Sequence, residues 1–396
     1  MITNFDYFYG GHVEMNNMGF PGLCVDDRIE SDEQLASVFS EARSLAELMD
    51  ELNFDTLWLA EHHFQREGYG CIPNIPMLSV YLAQTTKRVK FGGFFNVVPT
   101  WHPLRLAEDF ATADVITKGR VRFGIGRGYI NREVETLGSP LDDDEANREK
   151  FEEQVEIIFK AWNKQSFQHR GKYYNLPAQV KYREQELDEI TLVPRPSTRP
   201  VECWQPIFSA TPRGIDFMVK HGIKGVVPAG GRAHQIATKW REALSLSGRE
   251  TILGEGLALV LQIHIADTQE KAIKEASVWF EEQLKVLAPL GRMPQLSQEQ
   301  ILATYSATKA PSAGLPTVHD LVRDGAWICG PPEHVFERLC EIQETFPGLA
   351  RVSVGAGALA FPPSVLRQDI EWFGKEVLPK FDGISAAASR TTDNIK

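Results

Sequence analysis

A chain of 396 residues, of which 43% are hydrophobic and 24% charged, is long and apolar enough to bury a large core. Its net charge of −11 repels phosphate backbones and anionic lipids, so nucleic acids and membranes are disfavoured as partners. The five cysteines are scattered without a C-x-x-C pair and no signal peptide is visible, so we expect a cytoplasmic protein with reduced thiols and no bound metal.

The first half of the chain alternates short apolar strands with helical patterns. The first strand, at 5–9, precedes a long loop at 10–30 that is apolar enough to pack over a pocket. Ser31 and Gln34 then form a capping-box pattern at the start of the first helix. Three more strands are predicted, with helices between them, at 56–61, 89–98 and 121–125.

The second half continues this alternation after an interruption. Residues 164–203 form short, polar, β-like pieces with several prolines, which we interpret as a hairpin insertion. Residues 287–327 contain prolines and little periodicity, so this segment is either a lid or a disordered linker. The four remaining strands are predicted at 205–210, 224–227, 257–265 and 351–354.

Eight strands alternating with helices predict a (β/α)8 TIM barrel with insertions after strands 1, 4 and 7. We expect a single domain over residues 1–384 and a flexible tail at 385–396, where the sequence becomes small and polar. A doubly wound sheet is disfavoured because no GxGxxG motif follows the first strand.

Polar and glycine-rich residues follow two of the predicted strands, at the end where barrel enzymes hold their active sites. Glu61, His62 and His63 follow strand two, and Arg127 stands in the glycine-rich run 124–128 after strand four. Bare backbone amides beside a guanidinium suit a phosphate-sized anion. Both motifs also have plain structural explanations, because the arginine can point into solvent and an isolated EHH can cap a strand.

Three runs in the first half carry a family resemblance. They are EHHF at 61–64, VPTWHP at 98–103 and KGRVRFGIGRG at 118–128. In this order they resemble the bacterial luciferase family of flavin-dependent monooxygenases. Weaker matches follow in the right places, FSAT at 208–211 and GPPEHV at 330–335, so the resemblance spans most of the chain.

The resemblance implies a two-component reaction. Members of the family bind reduced FMN from a separate flavin reductase, react it with O2 to a flavin C4a-peroxide, and transfer one oxygen atom to an organic substrate. His62 matches the family's catalytic histidine, and a histidine side chain can take or give a proton near neutral pH. The resemblance therefore implies an FMN-dependent monooxygenase whose partners are a flavin reductase, O2 and a small organic substrate.

Several further positions match the family's cofactor contacts. Arg127 corresponds to the phosphate-binding arginine, and Gly128 and Tyr129 continue the same run, which looks like the FMN branch. Ser209 corresponds to a phosphate-contacting serine. The resemblance thus implies that these four residues bind the cofactor.

Other matches depend on local departures from the family's pattern. Arg148 fills a second arginine role if a short insertion before it is allowed. Phe208 stands where the family has glutamate, and Pro212 replaces a hydroxyl residue, so Thr211 is the candidate substitute.

The Phe94-Phe95 pair falls where luciferases have a cis non-proline peptide under the flavin ring. The resemblance implies the same bond and a contact with the cofactor here.

The substrate is indicated only in outline. Four aromatic side chains are expected at the mouth of the site: Trp58, Phe64, Trp101 and Phe361. They suggest a hydrophobic organic substrate, although each of them could equally belong to the core. Hydroxylation, Baeyer–Villiger insertion and epoxidation are not distinguished. We also expect a homodimer.

Two other functions remain open on the same barrel. One is F420-dependent hydride transfer, and the other is a non-catalytic flavin-binding protein. The GRGY run at 126–129 favours FMN over F420, and retention of His62 argues against a mere binder, which needs no proton-transfer group.

Overall fold

The structure, a computed structural model, describes residues 1–355 and 359–381, and the predicted tail at 385–396 lies outside the described residues. Within them the strands are β1 (Asn4–Tyr9), β2 (Thr56–Leu59), β3 (Lys90–Gly93), β4 (Asn96–Val97), β5 (Val121–Gly126), β6 (His169–Arg170), β7 (Asn175–Leu176), β8 (Lys181–Tyr182), β9 (Gln185–Glu186), β10 (Cys203–Pro206), β11 (Lys224–Pro228), β12 (Leu257–Ile265), β13 (Trp327–Gly330) and β14 (Arg351–Val354).

Helices connect most of the strands. None of them, in the part of the chain that the structure describes, is long and apolar enough to cross a membrane. The helices are α1 (Asp32–Glu51), α2 (Ile75–Ala83), α3 (Pro103–Thr117), α4 (Asn131–Val134), α5 (Asp144–Asn163), α6 (Pro212–His221), α7 (Ala233–Leu246), α8 (Gln269–Leu287), α9 (Gln298–Ala303), α10 (Val318–Asp324), α11 (Pro332–Thr345) and α12 (Pro363–Trp372).

The predicted TIM barrel is confirmed. Eight parallel strands follow the order β10, β11, β12, β14, β1, β2, β3, β5, and pairing of Cys203 with Phe123 and of Trp204 with Gly124 closes the barrel. Buried faces of the surrounding helices pack on it, and α1 begins at the predicted capping box, in which Ser31 and Gln34 bond each other's backbone N–H groups. Because the eight barrel strands run in parallel, the residues that follow them gather at one end of the barrel.

Three predicted strands have clearly different bounds. The strand expected at 56–61 ends at Leu59. The prediction of one continuous strand at 89–98 was wrong, because β3 ends at Gly93 and the chain resumes as the separate strand β4, which pairs with β5. The strand expected at 205–210 is instead Cys203–Pro206, where pairing with β11 ends at Pro206. Residues 207–211 are therefore free to form a loop above the barrel.

The two irregular segments are more structured than their composition suggests. The insertion at 164–203 contains the antiparallel pairs β6–β7 and β8–β9, in agreement with the predicted hairpin. Residues 287–327 hold α9 and α10, and the chain then forms β13, which the sequence analysis missed. An apolar run of four residues is too short to show the alternating pattern of a strand. β13 becomes recognisable through its pairing with the C-terminal half of β12.

Trp58 forms the floor beneath the carboxyl end of the barrel. Its side chain is fully buried, its Nε1–H donates to Asp6 at 2.7 Å, and its ring stacks on Phe94 with centroids 3.9 Å apart. Phe361 is also fully buried, against Trp279. The placement of Trp58 and Phe361 at the mouth was therefore wrong, because both side chains belong to the core.

The long loop at 10–30 is tied to α8 by buried charges. Arg28 Nε donates to Glu282 at 3.2 Å, and Lys285 Nζ donates to the same carboxylate at 2.8 Å and to the Gly19 carbonyl at 2.9 Å. Buried charges are tolerated when paired and hydrogen-bonded in this way. The loop therefore has a defined position against α8. Of its residues, the cavity at the barrel end is lined by Gly10, so the expected packing of the loop over a pocket is limited to that residue.

Candidate active site

The carboxyl ends of the strands open into a cavity of about 510 Å³. The nine residues that the sequence analysis assigned to catalysis or cofactor binding all line it, although they come from five separate parts of the chain: His62, Phe94, Phe95, Arg127, Gly128, Tyr129, Arg148, Ser209 and Thr211. The barrel thus brings the predicted residues together at the expected end.

A histidine–carboxylate pair occupies one wall of the cavity. His62 Nδ1 lies 3.1 Å from Glu133 Oε1, and the same carboxylate accepts from Gln65 Nε2 at 2.8 Å and from the His63 backbone N–H at 3.1 Å. Burial by itself would raise the pKa of Glu133, but the hydrogen bonds from His62 and these other donors outweigh it and hold that pKa below its usual value. Glu133 is therefore ionised at neutral pH.

The ionised Glu133 determines which nitrogen of His62 carries the proton. A carboxylate only accepts hydrogen bonds, so Nδ1 must be the donor, and in neutral His62 the Nε2 atom has a free lone pair. Nε2 has no hydrogen-bond partner among residues 1–355 and 359–381. A Cβ on Gly70 would lie 2.6 Å from His62 Cδ2, so this glycine leaves the room that the imidazole occupies.

Glu61 and His63 form a second, structural pair. His63 Nε2 lies 3.0 Å from Glu61 Oε1, and Glu61 also accepts from the Val97 N–H at 3.0 Å and from Trp101 Nε1 at 2.8 Å. These bonds join the end of β2 to the segment after β4. Trp101 is therefore committed to Glu61, and the cavity lining does not include it or the exposed Phe64, so both were wrongly expected at the mouth.

Two neighbouring arginines also line the cavity. Arg127 Nη1 donates to Asp144 Oδ1 at 2.8 Å and to Asn147 Oδ1 at 3.2 Å. Arg148 has no hydrogen bond or ion pair within the described residues. Burial lowers the pKa of Arg148, and the neighbouring Arg127 charge lowers it further. This side of the cavity therefore carries positive charge that the protein only partly balances.

The start of α6 faces the same region. Thr211 is the N-cap residue of α6, yet its side chain makes no capping hydrogen bond. A Cβ on Gly214 would lie 3.2 Å from Thr211 Oγ1 and 3.9 Å from Arg148 Nη1, so the glycine leaves a small space between these two groups. Unpaired N–H groups at a helix start, beside a guanidinium, favour an anion.

The peptide bond between Phe94 and Phe95 is cis, as the resemblance implied. Two glycines of the run 124–128, Gly124 and Gly126, lie within β5. A Cβ on Gly124 would lie 1.8 Å from the Gly93 carbonyl oxygen and one on Gly126 would lie 3.1 Å from Phe95 Cβ, so both make room for the chain beside them. In this run only Gly128 has a positive φ, +79°.

Sequence reasoning missed two charged residues of the cavity. Glu133 lies on the four-residue helix α4, which is too short to show a periodic pattern. Arg292 lies in the segment read as aperiodic, and its guanidinium carbon sits 4.8 Å from the ring centroid of Tyr129 and 4.4 Å from that of Phe208. Neither residue falls within the motifs that carry the family resemblance.

A closed parallel barrel with a histidine–carboxylate pair in the cavity at its carboxyl end has the form of a TIM-barrel enzyme. The family model of the luciferase-like monooxygenases matches residues 22–347. The chain therefore belongs to the luciferase-like monooxygenase family and is a flavin-dependent monooxygenase.

Individual relatives are distant in sequence. The chain is 24% identical over 348 residues to 4-hydroxyprotoasukamycin monooxygenase of Streptomyces nodosus subsp. asukaensis, in an alignment that covers 86% of each chain. The oxygenating constituent of 3,6-diketocamphane monooxygenase from Pseudomonas putida, solved in complex with FMN, has a TM-score of 0.72 and 21% identity over 96% of this chain and 99% of that one. An F420-dependent secondary alcohol dehydrogenase has a TM-score of 0.61 and 16% identity over 95% of this chain and 98% of that one. These two structural likenesses establish the fold.

Proposed function

We propose that this chain is the oxygenase component of a two-component monooxygenase, which receives reduced FMN from a separate flavin reductase and uses O2 to oxygenate a hydrophobic organic substrate. The observation that carries the proposal is one cavity with Arg127 and Arg148 on one side, the His62–Glu133 pair on another, and apolar side chains between them. The solved relative that is an oxygenating constituent with bound FMN supports the same assignment.

The cation-rich side of the cavity fits the phosphate of FMN. Arg148 makes no direct ion pair or hydrogen bond with a described residue, although the Asp144 and Glu152 carboxylates act on it from a distance. Thr211 has an uncommitted hydroxyl, and α6 begins beside both. A phosphate would accept charge-assisted hydrogen bonds from the guanidinium groups and would offset their mutual repulsion. We therefore assign Arg127, Arg148, Ser209 and Thr211 to the phosphate.

The aromatic wall fits the flavin ring system. Phe94 and Phe95 line the cavity above Trp58, and Gly128 and Tyr129 line it after β5. Apolar and aromatic surfaces hold a planar ring and exclude water from it. We assign these four lining residues to the ring end of FMN.

Reduced FMN, when bound, supplies the two electrons with which O2 is split into one oxygen atom for the substrate and one for water. The protein's own contribution to this chemistry is proton transfer and orientation. His62 Nε2, which Glu133 leaves free, is the group that takes a proton from the substrate or returns one to it. The end of α8, whose Gln283 and Leu287 line the cavity, limits the entry of water.

An anaerobic titration tests the cofactor. The chain should bind reduced FMN at least about tenfold more tightly than reduced F420. The reason is that the cavity contains both the proposed phosphate site and the GRGY run at 126–129, which resembles the FMN branch of the family. A second arm adds NADPH and FMN to the purified chain, which should oxidise NADPH only after a flavin reductase is supplied. Tighter binding of F420 would make the chain a hydride-transfer enzyme, and robust NADPH oxidation by the chain alone would show that it needs no reductase.

We also propose a homodimer formed through α2 and α3. These two helices pack against each other and expose apolar side chains, namely Met77, Tyr81, Val115 and Ile116. Water-exposed apolar patches of this kind commonly mark protein interfaces.

Sedimentation should therefore give twice the chain mass of 44.5 kDa. The double variant Met77→Glu, Ile116→Glu should shift the protein to monomer, because burying the new carboxylates is costly. Leu246→Glu, at a side chain 91% exposed on α7, is the matched control and should leave the dimer intact. A monomeric wild-type protein would contradict the proposal.

A further inference from the structure

Arg292 adds a positive charge to the cavity, apart from those of Arg127 and Arg148. Its guanidinium carbon lies 4.4 Å from the ring centroid of Phe208 and 4.8 Å from that of Tyr129, and it lines the same cavity as His62. Within residues 1–355 and 359–381 no carboxylate or carbonyl oxygen accepts a hydrogen bond from its side chain. The aromatic rings stabilise the charge but leave the five N–H donors of the guanidinium unused.

The backbone of Arg292 has a defined position. The Arg292 N–H donates to the Leu287 carbonyl, the Gly291 N–H donates to the Ala288 carbonyl, and Gly291 has a φ of +69°. This pair of bonds around a left-handed glycine is the Schellman motif that ends a helix. The end of α8 therefore presents Arg292 to the cavity without a separate lid movement.

Arg292 is electrostatically separate from the arginines assigned to phosphate. Burial lowers the pKa of Arg292, and among the described residues Tyr129 is the titratable group that acts on it. The pKa of Arg148 responds instead to Arg127, Asp144, Glu152 and Arg213. Burial also raises the pKa of Tyr129 to about 12, so its hydroxyl stays protonated and can donate a hydrogen bond. Two donor groups thus face one part of the cavity without an acceptor in the described chain.

We propose that Arg292, with the Tyr129 hydroxyl beside it, binds a carboxylate of the substrate, so that the enzyme acts on a hydrophobic organic acid. This inference rests on the proposed function. A planar guanidinium fits a carboxylate with two parallel hydrogen bonds. The rest of the molecule would contact the apolar lining of the same cavity, which includes Phe8, Ile207 and Leu287.

Matched acid and amide probes test the assignment. Benzoate, 2-naphthoate and octanoate are each compared with the amide of the same shape, by anaerobic calorimetry on protein saturated with reduced FMN. At least one acid should bind about tenfold or more tightly than its amide, as expected for hydrogen bonds to a charged group. Arg292→Met should reduce that preference to within about threefold, and Arg292→Lys should retain part of it.

Reduced FMN is titrated separately into each variant and should bind within about threefold of wild type. Arg323→Met is the matched control, because this arginine lies on α10 with 76% of its side chain exposed, and it should preserve the acid preference. Absence of an acid preference in all three pairs, or its survival in Arg292→Met, overturns the proposal. A loss of reduced-FMN binding of more than about tenfold in Arg292→Met also overturns it, since Arg292 would then bind the cofactor.

If wild-type protein does not bind reduced FMN at all, the proposed function fails by itself. The acid and amide pairs are then compared by the shift in melting temperature of the unloaded protein, so the two failures are distinguishable. Melting curves of the Arg292 variants also show whether each one folds.

Discussion

Replacement of His62 by alanine should lower product formation by at least about a hundredfold, while reduced FMN still binds within a few-fold of wild type. His62 lines the cavity, donates from Nδ1 to the ionised Glu133 and keeps Nε2 free for proton transfer. A general acid or base contributes about 10²–10⁴-fold to rate, whereas its loss leaves the phosphate side of the cavity unchanged. Oxygen reduction should therefore continue and yield hydrogen peroxide in place of product.

The measurement is a reductase-coupled assay with a compound that the wild-type enzyme oxygenates. It compares product and hydrogen peroxide formed per NADPH consumed in wild type and variant, together with the affinity for reduced FMN. Normal turnover by the His62→Ala variant, or its failure to fold, would remove the catalytic assignment and leave His62 as a strand-end histidine.

His63→Ala is the internal control, because His63 bonds Glu61 rather than facing the cavity. Burial would lower the pKa of His63, but the Glu61 carboxylate outweighs it and raises that pKa above its ordinary value of 6.5. A raised histidine pKa contributes stability below the ordinary value that is lost as pH rises through the folded-state pKa. The variant should therefore lower the melting temperature more at about pH 6 than at about pH 8.

Arg127→Ala should weaken binding of reduced FMN by about 10- to 150-fold. Hydrogen bonds between charged groups contribute roughly 1.5–3 kcal/mol each, and about 1.4 kcal/mol corresponds to tenfold in affinity. Arg127 is held by Asp144 and Asn147, so its guanidinium is oriented before the phosphate arrives. An anaerobic titration of reduced FMN into the variant measures the loss.

The matched control for this experiment is Arg105→Ala, an arginine on α3 whose side chain is 66% exposed and pairs with Glu108. It should leave the affinity unchanged, because an exposed pair far from the cavity contributes little. Equal affinities of wild type and Arg127→Ala would take Arg127 out of the phosphate site. In that case Arg148 would have to bind the phosphate without it.

The sequence by itself determined the barrel and the end at which the site lies. Apolar strands recur with helical patterns between them, and parallel strands place the residues that follow them on one face. His62 follows β2 and Arg127 follows β5, so their common location required only strand order. Ser209 and Thr211 were instead singled out by the family resemblance, and they lie beyond β10 because that strand ends earlier than predicted.

Only the tertiary structure decided which other side chains contact these site residues and complete the cavity. Glu133 reaches His62 across 71 positions of sequence from a helix of four residues, and no local pattern records such a contact. Arg292 depends on how the end of α8 packs over Tyr129 and Phe208. Helical and strand periods follow from the backbone of each segment, whereas contacts between distant segments depend on how the strands pair and the helices pack.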